Sequence, residues 1–125
     1  MKNKVLLIFI VSFLFSCSSG DSISQRIMVK HQYQQVGFDS PGLFYSADSN
    51  FVIVKKQKNE KRMNFLVMDL KEYRILYQKK IKNGDVSWKN KNVFQICIFR
   101  DKSKLDTVKV IRYKIDSDKF ISKVN

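Results

Sequence analysis

At 125 residues, with 24 Lys and Arg against 11 Asp and Glu and a formal net charge of +13, the chain has room for one small domain around a single core and too little for two. So basic a balance speaks for solubility and attraction to anions, and says nothing of fold. Two cysteines, Cys17 and Cys97, exclude a disulfide-stapled scaffold, which needs several bridges to replace a core.

In chain order, Lys2 and Lys4 form a basic head and Val5 to Phe15 an apolar run. The run falls short of the roughly 20 residues that span a hydrocarbon core, so a permanent transmembrane helix is not expected. Leu14-Phe15-Ser16-Cys17 then resembles the lipobox of bacterial lipoprotein signals, although bulky Phe15 stands where a small residue is usual. The resemblance implies removal of residues 1–16, a diacylglyceryl group on the Cys17 sulfur and a further acyl chain on the freed amine. Each buried methylene contributes about 0.8 kcal/mol and one chain holds only marginally, so two or three chains would fix the protein to a leaflet durably. Ser18 after the cysteine implies, by the same resemblance, the outer membrane of a bacterial cell envelope. An ordinary secretory signal with an incidental cysteine is the plainer alternative. Lipidation leaves Cys97 without an intramolecular partner, so stability must come from burial.

Residues 17–26 are Ser-rich around Gly20 and Asp21 and suit a flexible tether. Residues 27–125 are expected to form a single all-β domain. Ile27, Val29, His31 and Tyr33 recur at every second position, which suits a strand. Asp39-Ser40-Pro41-Gly42 is a turn signal. Beyond it, eight runs rich in β-branched and aromatic residues predict strands: Leu43–Ser46, Phe51–Lys56, Met63–Leu70, Tyr73–Ile81, Asp85–Trp88, Val93–Arg100, Thr107–Ile115 and Phe120–Val124.

Within them, Tyr73, Ile75, Tyr77 and Ile81 read as one apolar face of a half-buried strand. Val93 to Phe99 is apolar on both faces apart from Gln95, which predicts a strand covered on each side. Asn83-Gly84 predicts a two-residue type I′ hairpin. Sliding the sequence by 43 positions aligns Tyr45 with Trp88, Phe51 with Phe94, Ile53 with Ile96, Lys61 with Lys104 and Val67 with Val110. A period in the forties made of short strands resembles β-propeller blades, without their Trp-Asp and Gly-His signatures, and two blades cannot close a ring. The expected fold is an antiparallel meander of about eight strands, as two blade-like sheets or a small curled sandwich. A homo-oligomer is one way to protect its edges.

No chemistry-bearing constellation stands out. His31 has no Cys, Asp or Glu at ligand spacing for a metal. Ser22, Ser24, Ser40 and Ser46 lie in turn-like stretches without a base. Asp69, Glu72, Asp85, Asp101, Asp106, Asp116 and Asp118 mostly flank turns, where Asp caps backbone donors. Cys97 reads as a packed, inert thiol and Trp88 as a core aromatic. The expectation is a non-enzymatic protein with neither cofactor nor metal.

Charge placement is the functional clue. In an up-and-down meander alternate turns share an end, so the turns near Lys58, Asn83 and Lys102 form one pole. Lys58, Lys61, Lys80, Lys82, Lys102 and Lys104 are its candidate anion-binding residues, while Lys71, Lys89 and Lys119 lie at a charge-balanced opposite pole. The first functional expectation is an envelope lipoprotein, anchored to the membrane at Cys17, whose basic pole meets an anionic lipid, an acidic glycan or an acidic protein. Nucleic acid is disfavoured, because an exported chain rarely meets it. The alternative is an envelope immunity or inhibitor lipoprotein that binds one protein partner by shape, through an exposed strand edge.

Overall fold

A computed structural model of the chain describes residues 23–100 and 107–124. Strands form where β-branched and aromatic residues concentrate, and all eight lie close to the bounds predicted. β1 (Gly42–Tyr45), β2 (Phe51–Gln57), β3 (Arg62–Asp69) and β4 (Arg74–Lys82) pair antiparallel in chain order as sheet I. β5 (Gly84–Asn90), β6 (Val93–Phe99), β7 (Thr107–Ile115) and β8 (Ile121–Val124) repeat the arrangement as sheet II. The expected all-β meander of two blade-like sheets is what forms.

The sheets face each other across the main core. Ile53, Phe65, Val67 and Ile81 of sheet I meet Val86, Phe94, Ile96 and Ile115 of sheet II. Ring centroids of Tyr77, Phe94 and Tyr113 lie 5.2–5.6 Å apart, a spacing at which aromatic pairs add to area burial. Burial, and then the hydrogen bond with Tyr113, push the Tyr77 phenol up to about 12. Trp88 packs tilted against Phe51 and edge-to-face against Phe94, and its Nε1–H donates to the Phe44 carbonyl at 2.7 Å. It is a packing residue at the rim of this core.

Residues 23–35 form a helix, α1, where the sequence suggested the end of a tether and then a strand from Ile27 to Tyr33. Val29 is fully buried and packs with Tyr33 and Phe38 on Val52, Val54, Leu66 and Met68 of sheet I. Val29 and Tyr33 are one helical turn apart, whereas Ile27, which the strand reading put on the same face, is 61% exposed. The helix ends in a Schellman cap. Phe38 N–H donates to the Tyr33 carbonyl at 3.0 Å and Gly37 N–H to the Gln34 carbonyl at 3.1 Å. Gly37 takes φ +91°, and Tyr33 packs beside Phe38 in the same cluster, the hydrophobic contact that accompanies this cap.

Asn83-Gly84 does not close a hairpin, because β4 and β5 belong to different sheets. A type I′ turn needs two residues at positive φ. Asn83 takes one (φ 51°) and Gly84 does not. Gly84 serves close approach instead: a Cβ there would lie 2.6 Å from the Cys97 carbonyl oxygen. The chain thus turns a corner, and Asn83 ties both sheets to it. Its N–H donates to the Lys61 carbonyl and its carbonyl accepts from Phe99 N–H, both at 2.6 Å.

Two expectations about faces are corrected. A bulge between Val67 and Met68 shifts the pairing of β4, so Ile75 joins the cluster under α1 while Leu76, Tyr77 and Ile81 face sheet II. The strand covered on both sides is β3, with Phe65, Leu66, Val67 and Met68 all buried, and not β6. β6 lies inside sheet II and buries Phe94 and Ile96 on one side, but Val93, Gln95, Cys97 and Phe99 on the other stay half-exposed. Cys97 is therefore not a core thiol.

Candidate functional site

The groove with the strongest charge character begins at the β2–β3 turn. Asn59 Oδ1 accepts from Lys61 N–H at 2.9 Å and Arg62 N–H at 3.0 Å, and Lys58 N–H donates to the Arg62 carbonyl at 2.8 Å. An Asn side chain closing its own turn in this way holds Lys58 and Lys61 at fixed positions on an otherwise exposed loop. The Asn83 corner sits against it through the Lys61 carbonyl, and the end of β6 follows through Phe99. Two of the three chain segments of the expected basic pole, those at Lys58 and Asn83, meet at one end, by a corner between sheets in place of a hairpin, and the turn near Lys102 lies outside the described residues.

Register then decides which cations share a face. Across sheet I, Asn64 opposes Lys56 on one side and Lys80 on the other, and Arg62 opposes Lys82. These residues have the parity of Val52, Val54, Leu66 and Met68, so they continue the α1-covered face beyond the end of the helix. The helix cap forms the far wall. Gly37, Asp39, Lys56, Lys58, Asn64 and Lys80 line a groove of about 510 Å³ there. An adjoining hollow of about 420 Å³ shares Lys58, Asn64 and Lys80 and adds Arg62 and Lys82. Among the described residues, none of Lys58, Lys61, Arg62, Lys80 and Lys82 has an ion-pair partner. Like charges directly opposite on neighbouring strands destabilise a sheet by roughly 0.2–1 kcal/mol, and Arg62 with Lys82 is such a pair.

Of the candidates named from sequence, Lys58, Lys80 and Lys82 line this groove, and Lys61 lies on the same turn with its side chain exposed. Lys102, Lys104 and Cys17 fall outside the described residues. Lys56, Arg62 and Asn64 belong to the groove and were not among the candidates. Counting turns finds an end of the molecule but not a face; the parity they share with Val54 and Leu66 is the signal that could have found them. Lys55, on the opposite face, is engaged elsewhere. Its Nζ donates to Asp85 Oδ1 at 2.8 Å and to the Val86 carbonyl at 3.0 Å, and it sits 4.4 Å from the Phe44 ring centroid.

The opposite end is a clasp between the sheets. Asp69, 1% exposed, accepts from Lys119 Nζ at 2.8 Å and from the N–H groups of Lys71 and Glu72 at 3.2 and 3.0 Å. Burial alone would raise the Asp69 carboxyl, but the ammonium and these donors outweigh it and hold it below its ordinary 3.8. Asp69 in turn raises Lys119. Lys119 takes φ +66°, a conformation that costs an L-residue roughly 1–2 kcal/mol, and the ion pair offsets that cost. It is thus a structural residue of the charge-balanced pole.

Among the described residues no three His, Cys, Asp or Glu side chains converge as a metal site, and His31 pairs only with Gln35 at 3.1 Å. No described helix is long and apolar enough to cross a membrane. No protein-family model, curated protein or solved structure matches the chain.

Proposed function

We propose that this protein is a non-enzymatic lipoprotein of the bacterial cell envelope, tethered through acylated Cys17, whose all-β domain holds a basic groove to an anionic partner. The carrying observation is the accumulation of Lys56, Lys58, Arg62, Lys80 and Lys82 on one face of sheet I, with Arg62 directly opposite Lys82. An arrangement that repels itself in the free protein gains when phosphate, sulfate or carboxylate groups enter. Lysines act as mobile point charges, Arg62 can grip two oxygens at once, and Asn64 adds an uncharged donor. Recognition of this kind is broad in specificity and weakens as salt screens it.

Two measurements test the parts separately. Metabolic labelling with a fatty-acid analogue should mark the wild-type chain and not Cys17→Ser, since only the thiol takes the diacylglyceryl group; label retained by the variant sinks the anchor. Retention on heparin or on phosphatidylglycerol vesicles should fall steeply with added salt, and retention indifferent to salt sinks the electrostatic groove.

A second reading, an immunity or inhibitor lipoprotein that blocks one protein partner by shape, draws on the open side of sheet II. Val108, Val110 and Val124 there are 60%, 45% and 38% exposed, and β8 offers a short free edge. Crosslinking in intact cells separates the two: one protein captured through sheet II favours the second reading, and capture of lipid or glycan through the groove favours the first.

A further inference from the structure

Helix α1 is apolar on two sides. Val29 and Tyr33 dock it on sheet I, while Ile23 and Ile27, one turn apart on the side facing away from the sheet, are 60% and 61% exposed. Arg26 and Lys30, likewise one turn apart, run alongside them on one side and are exposed as well. Two large aliphatic side chains turned outward beside a row of two cations is the pattern of a helix lying in a membrane interface, with its apolar residues among the upper acyl carbons and its cations at the phosphates.

Chain length fixes which surface α1 meets. Ile23 stands six positions after Cys17, and a fully extended chain spans at most about 3.3–3.6 Å per residue. If Cys17 carries the acyl anchor, the start of α1 lies within about 20 Å of the headgroup layer, whatever path the chain takes. Of the described elements α1 is the first the chain enters after the anchor, and its outward side carries isolated apolar groups beside cations. The basic groove opens beside the C-terminal cap of α1, on the same face of sheet I. Phosphate headgroups would therefore complement both features from one direction, and the open side of sheet II would face away.

We infer that α1 lies flat on the anionic leaflet that holds its own anchor, with Ile23 and Ile27 inserted and Arg26 and Lys30 on lipid phosphates. The helix is the docking element, and it fixes the orientation in which the domain meets the membrane. This rests on the lipoprotein reading above, and the experiment separates the two.

The full-length gene is expressed with Cys97→Ser and either Ile27→Cys or Val110→Cys, and the processed protein is purified and labelled at the new thiol with an environment-sensitive dye. It is then reconstituted into phosphatidylglycerol-containing vesicles or into phosphatidylcholine vesicles, each carrying a spin-labelled lipid as quencher. Both labelled positions are exposed, so the fold should tolerate them, and circular dichroism of each variant checks this. The dye at residue 27 should be quenched several-fold more than the dye at residue 110, with the larger difference on the anionic vesicles. Equal quenching at the two positions, or stronger quenching at 110, overturns the docking of α1 while leaving the anchor in place. Intact mass of the same preparation reports acylation: a chain without acyl groups overturns the lipoprotein reading, and the docking inference with it.

Discussion

Sheet I and sheet II share connectivity and pairing, and differ in what lies on their outer faces. Register makes the equivalence concrete. Ile53 opposes Val67 in sheet I as Ile96 opposes Ile111 in sheet II, and Val54 opposes Leu66 as Cys97 opposes Val110. The second copy thus runs 43 positions ahead in β6 and at Thr107 but 44 from Lys109 onward, the extra residue being Val108 at a bulge within β7. At inner positions Phe51, Ile53 and Val67 of sheet I answer to Phe94, Ile96 and Ile111 of sheet II. At the outer ones Val52, Val54, Leu66 and Met68 of sheet I become Gln95, Cys97, Val110 and Arg112 of sheet II. One set is buried under α1, while the other is half-exposed or exposed, with Arg112 Nε donating to Gln95 Oε1 at 3.4 Å. A repeated meander buries one face by stacking on its twin. Whether its second face is apolar depends on what else the chain supplies to cover it.

The sharpest way to break that comparison is to truncate equivalent residues. Leu66→Ala, at a fully buried site under α1, should cost about 2–5 kcal/mol, whereas Val110→Ala at the matching position should stay within about 0.5 kcal/mol. Urea unfolding of both variants reads the difference. Comparable losses would mean that something covers sheet II in solution.

Next in size is the clasp joining the sheets at one end. Asp69→Asn removes the charge that Lys119, Lys71 and Glu72 surround and should cost about 1.5–3 kcal/mol. A carboxyl held below 3.8 contributes stability that is present above 3.8 and lost as pH falls through its lower folded value. Midpoints of wild type and variant should therefore stay apart at neutral pH and converge in acid. At the alkaline end the Tyr77 phenol, raised to about 12 from 10.0, contributes stability that is complete below pH 10 and disappears as pH rises toward 12. Tyr77→Phe should flatten that part of the profile.

Smaller effects concern the cover and the groove. Gly37→Ala forces φ +91° on an L-residue at the helix cap and should cost about 1 kcal/mol, with hydrogen exchange rising in α1 ahead of the strands. Lys82→Gln removes one member of the like-charged pair with Arg62 and should stabilise the protein by roughly 0.2–1 kcal/mol. A loss of stability there would show that the pair is satisfied in a way its geometry does not suggest.

The strands were legible because alternation of apolar and polar residues survives one-sided burial, and the repeat was legible because Phe51 and Ile53 recur as Phe94 and Ile96 at the same spacing and on the same inner face. The helix was not. Ile27, Val29, His31 and Tyr33 alternate by accident while only Val29 and Tyr33 turn inward, and the deciding signal was local: Gly37 followed by apolar Phe38, placed to cap a helix against Tyr33. Asn83-Gly84 misled because that dipeptide serves hairpins and corners alike, and only the nearness of the Cys97 carbonyl distinguishes them. The groove was half legible. Lys58, Lys80 and Lys82 follow from counting turns, but Lys56, Arg62 and Asn64 require the register of β2 with β3 and of β3 with β4, and a bulge at Val67/Met68 hides part of that register from the sequence.

The central claim, that position and not total charge attracts the anionic partner, is tested most directly by two matched charge reversals. Lys58→Glu, Lys80→Glu and Lys82→Glu together alter the groove. Lys71→Glu, Lys89→Glu and Lys91→Glu together alter exposed residues elsewhere, and Lys119 is left intact because it holds Asp69. Both triple variants change the net charge by the same amount. On a heparin surface the groove variant should elute at much lower salt than wild type and the other variant only slightly lower; equal shifts for the two would contradict a dedicated groove.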